Sequence, residues 1–570
     1  MKKITGIFSA LVLALALLPT TVWAGGYVAM IGDNGYGTLK AAFDAAENGD
    51  TIRLLDNTSG DGIVVESGSN FTVDFGGFTY TVDGELVGST GTETNAFQLL
   101  KDSTITFKNG KITSSKAKIL IQNYSNLTLE NMELTAGETC SYVLSNNNGN
   151  VVIDNTTITP AAGKVAFDVY GGFGSYSDVT VTVTGDSVIN GKIEVDRSNS
   201  SNTNKNTLNI ESGILNGELA VTENENTEVS ITGGSFTDLT NAIKYAADKA
   251  TIKLAADVNS SMVSVASGKD ITLDLGGHKF TSNSYGFLVN GNLTVKNGQI
   301  ESLKWAFWVQ NGAALVIEKD VSVKSTSEVD GEGGGVAVRN NKSSVTVFGK
   351  LESVGPAISG IGNEADGGVT INIEEGAVLT STKGVGIYFP NTTALNIKGG
   401  TITGLTGVYV KSGKTTVTGG AIIGTGAKED YEYNGNGCNT TGDAFVVDKC
   451  NYPGGDPVVE IKGGSFKSEK ANAVASYIGN GAANALTGFV TGGFFSSDPS
   501  AFVSEGYTAT KDAEGNYTVA KPTPGKPGAP MTYDAGIAIY GMSAVLSISG
   551  MAWLGLKKKG TDYVGKRMEK

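Results

Sequence analysis

Apolar residues along this chain recur in short alternating runs that end in glycine-rich turns. L-N-I-K-G-G-T-I at 395–402 and V-E-I-K-G-G-S-F at 459–466 are two clear copies of the pattern. Alternation with a period of two predicts a β-strand with one buried side. Copies recur about every 20 to 30 residues, which predicts a solenoid whose coils bury their apolar sides by stacking on one another.

Within one coil the pattern predicts two or three short strands. A small residue precedes an apolar-x-apolar run at 286–289 and 306–309, and a second strand follows at 315–317. Phe287 and Phe307 are one coil apart, so we expect them to stack inside at the strand spacing of about 4.8 Å. Strands wound in one direction without intervening helices predict an all-β fold, a right-handed parallel β-helix.

A longer repeat divides the chain into two solenoid modules, 25–235 and 236–520. Segments near residues 38, 51 and 71 return 200 positions later in similar form. In each copy, apolar residues fall at the i, i+3, i+4, i+7 positions that predict an amphipathic helix, which would cap the first coil. These residues are Leu39, Ala42, Phe43 and Ala46, and then Leu239, Ala242, Ile243 and Ala246.

The two ends of the chain predict export and anchoring. Residues 1–24 have two lysines, an apolar run and a small-residue exit, which is typical of a secretory signal peptide. A Pro-rich linker at 521–534 precedes 22 uncharged, mostly apolar residues at 535–556, enough for a transmembrane helix. The basic tail at 557–570 would remain in the cytoplasm, so the body would lie outside the cell.

This order of segments resembles the wall-anchored surface proteins of Gram-positive bacteria. The matching sorting motif is Pro530, Met531, Thr532 and Tyr533, although the usual first Leu and last Gly of the motif are absent. The resemblance implies that a sortase cuts after Thr532 and joins the protein to peptidoglycan in the cell wall. The alternative is a retained membrane anchor, and both place the body on the cell surface.

The predicted solenoid has a family resemblance of its own. The capping helix followed by T-I-x-L and L-D-L-G-G resembles the start of right-handed β-helix domains of the pectate lyase-like superfamily, over about 26–520. Because polysaccharide lyases and glycoside hydrolases use this fold, the resemblance makes such an enzyme the first alternative to a binding protein.

Composition narrows the possible partners. Glycine accounts for 79 of 570 residues, as many tight corners require, and the formal net charge is −14. An acidic body repels nucleic acid, so no nucleic-acid partner is expected.

Of the three cysteines, Cys438 and Cys450 could form a disulfide and Cys140 would be left over. Their spacing fits neither a zinc nor a redox motif, so neither a metal nor a cofactor is expected.

Few residues suggest catalysis. The only histidine is His278, beside a glycine pair, where we expect a turn residue. The body's three arginines, Arg53, Arg197 and Arg339, show no flanking acidic set in the sequence. Asp74 and Asp274 fall in separate modules and are not expected to form a carboxylate pair. We therefore expect a protein that is not an enzyme.

One segment breaks the repeat and carries the candidate binding residues. The glycine pairs on either side of 424–457 are farther apart than elsewhere, which predicts a long insertion containing Tyr431, Tyr433 and Tyr452. Trp305 and Trp308 are three apart on one strand, so one indole should face outward and could stack on a sugar ring. The sequence thus favours a surface adhesin that binds a glycan or protein, with a passive spacer as a further alternative.

Overall fold

The computed structural model describes residues 26–172, 177–197, 203–329, 331–339, 341–361 and 367–522. The predicted signal peptide at 1–24, nearly all of the linker, the sorting motif at 530–533, the span at 535–556 and the tail at 557–570 lie outside these residues. Within the described ranges, no helix has the length and apolar character needed to cross a membrane.

Each coil contributes one short strand to each of three faces, and like strands of successive coils pair in parallel and in register. Hydrogen bonds therefore run between coils, along the solenoid axis. The result is a right-handed parallel β-solenoid of about 15 turns in which only 4% of residues are helical. The predicted all-β solenoid is confirmed.

The strands are grouped by face. The first face contains Thr51–Leu54, Asn70–Asp74, Gly149–Asp154, Val179–Thr184, Asn206–Ile210, Thr227–Ile231, Thr251–Leu254, Asp270–Asp274, Asn292–Lys296, Ala314–Ile317, Ser343–Val347, Val369–Ile373, Ala394–Ile397, Lys414–Val417 and Val458–Ile461. Two longer strands turn the corner from the first to the second face, Thr104–Ser114 and Asn126–Ala136. The second face contains Thr58–Gly60, Thr79–Val82, Thr157–Thr159, Val188–Asn190, Ile214–Asn216, Ser235–Phe236, Val258–Asn259, Lys279–Ser282, Gly298–Ser302, Val321–Ser325, Lys350–Ser353, Val378–Ser381, Thr401–Gly404, Ala421–Gly424, Ser465–Ser468 and Gly493–Phe495.

The third face is hydrogen-bonded as two separate sheets. The first sheet contains Ile63–Val65, Asn95–Leu99, Ile119–Asn123, Tyr142–Asn146, Val165–Val169, Lys192–Val195 and Leu219–Val221. The second contains Val263–Val265, Phe287–Val289, Phe307–Val309, Val336–Arg339, Ile358–Ile361, Val385–Phe389, Thr406–Val410, Phe445–Lys449 and Val474–Ile478. Antiparallel strands complete the two ends, Ala29–Ile31 with Asn34–Tyr36, and Thr508–Lys511 with Tyr517–Ala520, the latter preceded by the 3-10 helix Ser500–Phe502.

Both predicted short helices are present, as Leu39–Ala45 and Leu239–Tyr245. Their first turns are capped by the side chains of Thr38 and Asp238, which accept hydrogen bonds from backbone N–H groups at 3.1 and 3.2 Å. The second helix occupies the third-face position of its coil and so separates the two third-face sheets. Backbone pairing between coils continues past this helix, because strand Ser235–Phe236 pairs with strand Thr251–Leu254, which follows the helix.

Inward side chains form continuous columns through the stack. Phe287 and Phe307 are register partners, fully buried, with ring centroids 5.4 Å apart and planes inclined by 19°. The column continues through Val336 and Ile358 in the next two coils. The predicted stacking of Phe287 on Phe307 is therefore confirmed, but the aromatic ladder is limited to these two rungs, because the residues before and after them in the column are aliphatic.

Replacing one rung of this ladder should destabilise the fold. For Phe307→Ala we expect a loss of about 3 to 5 kcal/mol in unfolding free energy, because a cavity replaces a fully buried ring. Lys324→Ala is the control, since its partner Glu352 is also exposed and such pairs contribute about 1 kcal/mol or less. Urea unfolding followed by circular dichroism measures both, and equal effects would contradict the ladder.

Candidate functional site

The insertion, defined here as residues 425–444, connects the second-face strand Ala421–Gly424 to the third-face strand Phe445–Lys449. Phe445 pairs in register with Val408 of the preceding coil. The segment predicted as one loop at 424–457 therefore contains a regular strand of the solenoid. This strand lacks the usual alternation of buried and exposed residues. Four of its five residues are buried, and two of these four face outward beneath the insertion.

The insertion covers outward-facing side chains of the third face. Val385, Tyr388, Tyr409 and Val446 form an apolar cluster separate from the solenoid core, and Cys438 of the insertion packs against it. An outward-facing residue of a solenoid is normally exposed to solvent. The insertion thus covers a small apolar cluster of the third face, and Cys438 packs the insertion against it.

A charged pair lies within this covered region. Lys411 and Asp448 follow the register partners Val410 and Val447, so they are neighbours on adjacent strands. Both side chains have zero exposure, and Lys411 Nζ is 3.7 Å from Asp448 Oδ2. Buried charges must be paired and hydrogen-bonded to be tolerated.

Aromatic residues complete the surroundings of this pair. Tyr409 and Tyr431 donate hydrogen bonds to the two carboxylate oxygens of Asp448 at 2.9 and 2.8 Å. Burial and the adjacent carboxylate raise the pKa of both phenols above the usual range, so both keep their protons. Lys411 Nζ lies 5.5 to 5.9 Å from the ring centroids of three further tyrosines, Tyr388, Tyr433 and Tyr452.

A second carboxylate anchors the far end of the insertion. Asp443 is fully buried and accepts hydrogen bonds from Tyr477 at 2.7 Å, Thr441 at 2.6 Å and the backbone N–H of Asn472 at 2.8 Å. The Tyr477 ring stacks on Tyr431 with 4.8 Å between centroids. The insertion is therefore held by polar contacts at two points.

The structure brings the three candidate tyrosines together around the pair of Lys411 and Asp448, with Tyr433 and Tyr452 beside Lys411 and Tyr431 on Asp448. Tyr431 and Tyr452 are partly buried and their contacts lie within the protein, whereas Tyr433 has 43% of its surface exposed. Of the three, Tyr433 has the ring best placed to contact a ligand. The binding role predicted for them stays a prediction.

A groove of about 760 Å³ runs between the insertion and the turns of three successive coils. The turns contribute glycines and Pro356, and Lys383 forms an ion pair with Glu328 at 3.1 Å. Glu429, Asp430 and Glu432 line the insertion side. The groove is thus open, and acidic side chains outnumber basic ones along it.

The two candidate tryptophans differ in exposure. Trp305 is only 4% exposed, and its indole lies against Gly334, where an added Cβ would overlap the ring. Trp308 faces outward and is partly exposed, and its indole Nε1–H donates to Gln310 at 3.1 Å. Tyr285 meets Trp308 edge to face at 6.1 Å. Trp308, not Trp305, is therefore the indole available to a ligand.

None of the three cysteines, all of which are described, forms a disulfide in the structure. The predicted Cys438–Cys450 bond is thus not formed there. Cys140 and Cys450 are buried, and Cys438 is partly exposed beside the groove. Burial, together with Asp448 in the second case, raises the pKa of Cys140 to about 11 and that of Cys450 to about 12.

A second cluster of charged and aromatic side chains surrounds Arg197 on the third face, and the sequence did not predict it. Arg197, for which no acidic partner was expected, donates from Nη2 to Asp168 Oδ2 at 2.7 Å. Its guanidinium carbon lies 5.4 and 4.7 Å from the ring centroids of Tyr142 and Tyr170. Tyr142 also donates to Glu194 at 3.1 Å. The partners come from different coils, so spacing along the chain gave no sign of them.

Asp168 is the unusual member of this cluster. It is 1% exposed and also accepts a hydrogen bond from the backbone N–H of Asn146 at 2.7 Å. Burial raises the pKa of its carboxyl to about 6, although Arg197 and the hydrogen bonds oppose the shift. In register, Asp168 is opposite Glu194, so two carboxyl groups face outward on adjacent strands.

The other candidate acids and the histidine have local structural contacts. Asp74 and Asp274 each accept a backbone hydrogen bond from the glycine two residues later, which stabilises the turn. His278 lies in that turn of the second module, with Nδ1 3.5 Å from Asp257 Oδ1. Among the described residues, no group of three or more histidine, cysteine or acidic side chains could hold a metal ion.

No family model matches the chain, and comparison with curated proteins and with solved structures found no significant match. The class of the protein accordingly follows from its own fold, a right-handed parallel β-solenoid with a covered third face.

The buried carboxyl of Asp168 predicts an unusual pH dependence. Because the folded pKa is raised, to about 6, this group's contribution to stability is fully present below about pH 4 and is lost as pH rises through 6. Asp168→Asn should remove a difference of about 3 kcal/mol between these limits. Urea unfolding at pH 3.5 and 7.5 measures most of this difference, and an identical pH dependence in both proteins would contradict the assignment.

The thiols should differ in reactivity. In the native protein at pH 8, maleimide should modify Cys438 and leave Cys140 and Cys450 unmodified, because thiolates react and buried thiols with raised pKa remain protonated. Denaturation should expose all three. Peptide mapping after labelling identifies the sites, and native labelling of Cys450 would show that the insertion does not cover it.

Proposed function

We propose that the protein is exported, is anchored at the cell surface and binds a glycan or protein ligand through its third face without catalysing a reaction. The order of predicted signal peptide, solenoid, Pro-rich linker, apolar span and basic tail supports export and anchoring. The features near 530–533 support sortase attachment to the wall of a Gram-positive cell, and a retained membrane helix is the other form of anchoring.

One observation carries the binding proposal: the insertion is folded against the third face and forms a groove there. A ligand site needs a concave surface whose shape exists before the ligand arrives. The insertion meets this condition because three contacts hold it in place. It packs on the apolar cluster beneath it, Tyr431 donates a hydrogen bond to buried Asp448, and buried Asp443 accepts one from Tyr477. Tyr433 and Trp308 add exposed aromatic rings, which suit sugars and proteins alike.

The insertion can be removed with little effect on the solenoid. Gly442 packs directly against the backbone of Ala427, and the Glu429 N–H donates to the carbonyl of Thr441 at 3.3 Å, so the ends of the loop are adjacent. A variant that lacks 428–441, with two glycines in their place, keeps strand Phe445–Lys449 in the stack. It removes one side of the groove and Tyr433.

Glycan and protein arrays probed with this variant and with the intact protein test the proposal. We expect ligand binding by the intact protein and at least a tenfold loss in the variant and in Tyr433→Ala. Tyr27→Ala is the matched control, because Tyr27 is a similarly exposed tyrosine, 49% against 43%, in a different part of the chain. Equal binding by all four proteins would place the ligand elsewhere, and no binding by any would favour a passive spacer.

A β-helix polysaccharide lyase or glycoside hydrolase is the second candidate. It is favoured by the register pair Asp168 and Glu194, with Arg197 and Tyr142 beside them. Glycoside hydrolysis uses a pair of carboxyl groups, and these two face outward on adjacent strands. Release of reducing ends from a polysaccharide panel, abolished by Glu194→Gln, would establish the enzyme and displace the binding proposal. The resemblance of the sequence to the pectate lyase-like superfamily also supports this candidate, because polysaccharide lyases and glycoside hydrolases use that fold.

A further inference from the structure

Lys411 and Asp448 are placed for chemistry with each other. Lys411 Nζ donates hydrogen bonds to two backbone carbonyls of the insertion, those of Asn434 and Gly437. Two N–H groups are thereby committed, and Asp448 Oδ2 lies 3.7 Å from Nζ, too far for a hydrogen bond. A neutral amine that donated both of its N–H groups to these carbonyls would keep its lone pair free beside the Asp448 carboxyl.

The pair is closed to solvent, and charges are costly to keep in such a place. Both side chains have zero exposure, and the cost of removing two charges from water is several kcal/mol for each ion. Transfer of one proton from the ammonium to the carboxylate within the pair removes both charges and requires no proton from outside. It leaves an amine beside a carboxylic acid in a site closed to solvent.

We propose that Lys411 and Asp448 condense to an intramolecular isopeptide bond. The Nζ lone pair attacks Cγ of the protonated carboxyl, and a new C–N bond forms. The bond from Cγ to Oδ2 then breaks. This oxygen leaves as water with the carboxyl proton and one proton from the amine. The products are an amide and one water molecule, so atoms balance and no oxidant or cofactor is involved.

Two tyrosines contact the reacting carboxyl. Tyr431 donates to Oδ1, the oxygen that remains, and stabilises negative charge that develops there during the attack. Tyr409 donates to Oδ2, the oxygen that leaves. Because both phenols hold their protons firmly, they remain donors throughout. Holding the two groups next to each other makes the condensation intramolecular, which favours it over the same reaction between separate molecules.

The bond would fasten the insertion at its base. Lys411 directly follows one third-face strand, Asp448 lies in the next, and the whole insertion lies within the chain between them. Closing that loop covalently restricts the unfolded chain, as a disulfide does. The inference concerns the chain's own covalent structure and does not depend on a ligand, so it stands or fails separately from the proposed function.

Mass spectrometry of a trypsin digest of the purified full-length protein tests the proposal. Trypsin cannot cut at an acylated lysine, so we expect one linked species in which 399–414 is joined to 429–449, lighter by one water than the two peptides together. Fragmentation should locate the link at Lys411 and Asp448. Lys411→Met and Asp448→Ala should give only separate peptides.

The wild-type digest alone decides the outcome, so a variant that fails to fold does not leave the question open. Full recovery of separate 399–411 and 429–449 peptides would overturn the proposal. So would loss of water confined to 429–449, since that product is a cyclised aspartate without a cross-link. If the link is present, Tyr431→Phe should lower the linked fraction in freshly folded protein by tenfold or more, an effect that a purely structural contact would not have.

Discussion

The parallel, in-register pairing of successive coils is the interaction on which the whole structure depends. Since backbone hydrogen bonds run between coils, each strand is completed only by its neighbours along the axis. Register also decides which side chains meet. The same pairing that stacks Phe287 on Phe307 inside the solenoid places Tyr388 beside Tyr409 on its outer surface. Core and candidate site thus follow from one constraint.

The third face differs from the other two because parts of it are covered. In the second module the insertion covers Tyr388 and Tyr409, with Lys411 and Asp448 buried beneath it. In the first module Arg197 is held over Asp168 between two tyrosine rings. Both places combine an outward-facing aspartate, a basic side chain and tyrosines. The solenoid therefore supplies a rigid support, and the irregular segments on it form the surfaces that a ligand can meet.

The sequence alone predicted most of the fold. The alternation at 395–402 and 459–466 and the spacing of Phe287 and Phe307 report inward residues, which obey a strict period. The two short helices were also predicted, because their apolar spacing is a local signal. Both kinds of signal depend on neighbours in the chain or on the coil repeat.

The candidate site was predicted less completely, for a physical reason. Contacts between outward side chains of different coils have no period, so nothing in the sequence linked Arg197 to Asp168 or Lys411 to Asp448. Burial beneath the insertion also concealed the strand Phe445–Lys449, because apolar Val446 occupies an outward position there. The tyrosines of 431–452 were identified as important, but their contacts with Lys411 and Asp448 emerge only when the coils are stacked.

The account rests most directly on the insertion being a folded part of the third face. Limited proteolysis of the native protein with chymotrypsin measures this, because Tyr431 and Tyr433 are cleavage sites within the insertion. If their rings are held by Asp448 and Lys411, the chain should remain uncut there for as long as the solenoid strands do. Cleavage at Tyr431 or Tyr433 before any other site would contradict the account.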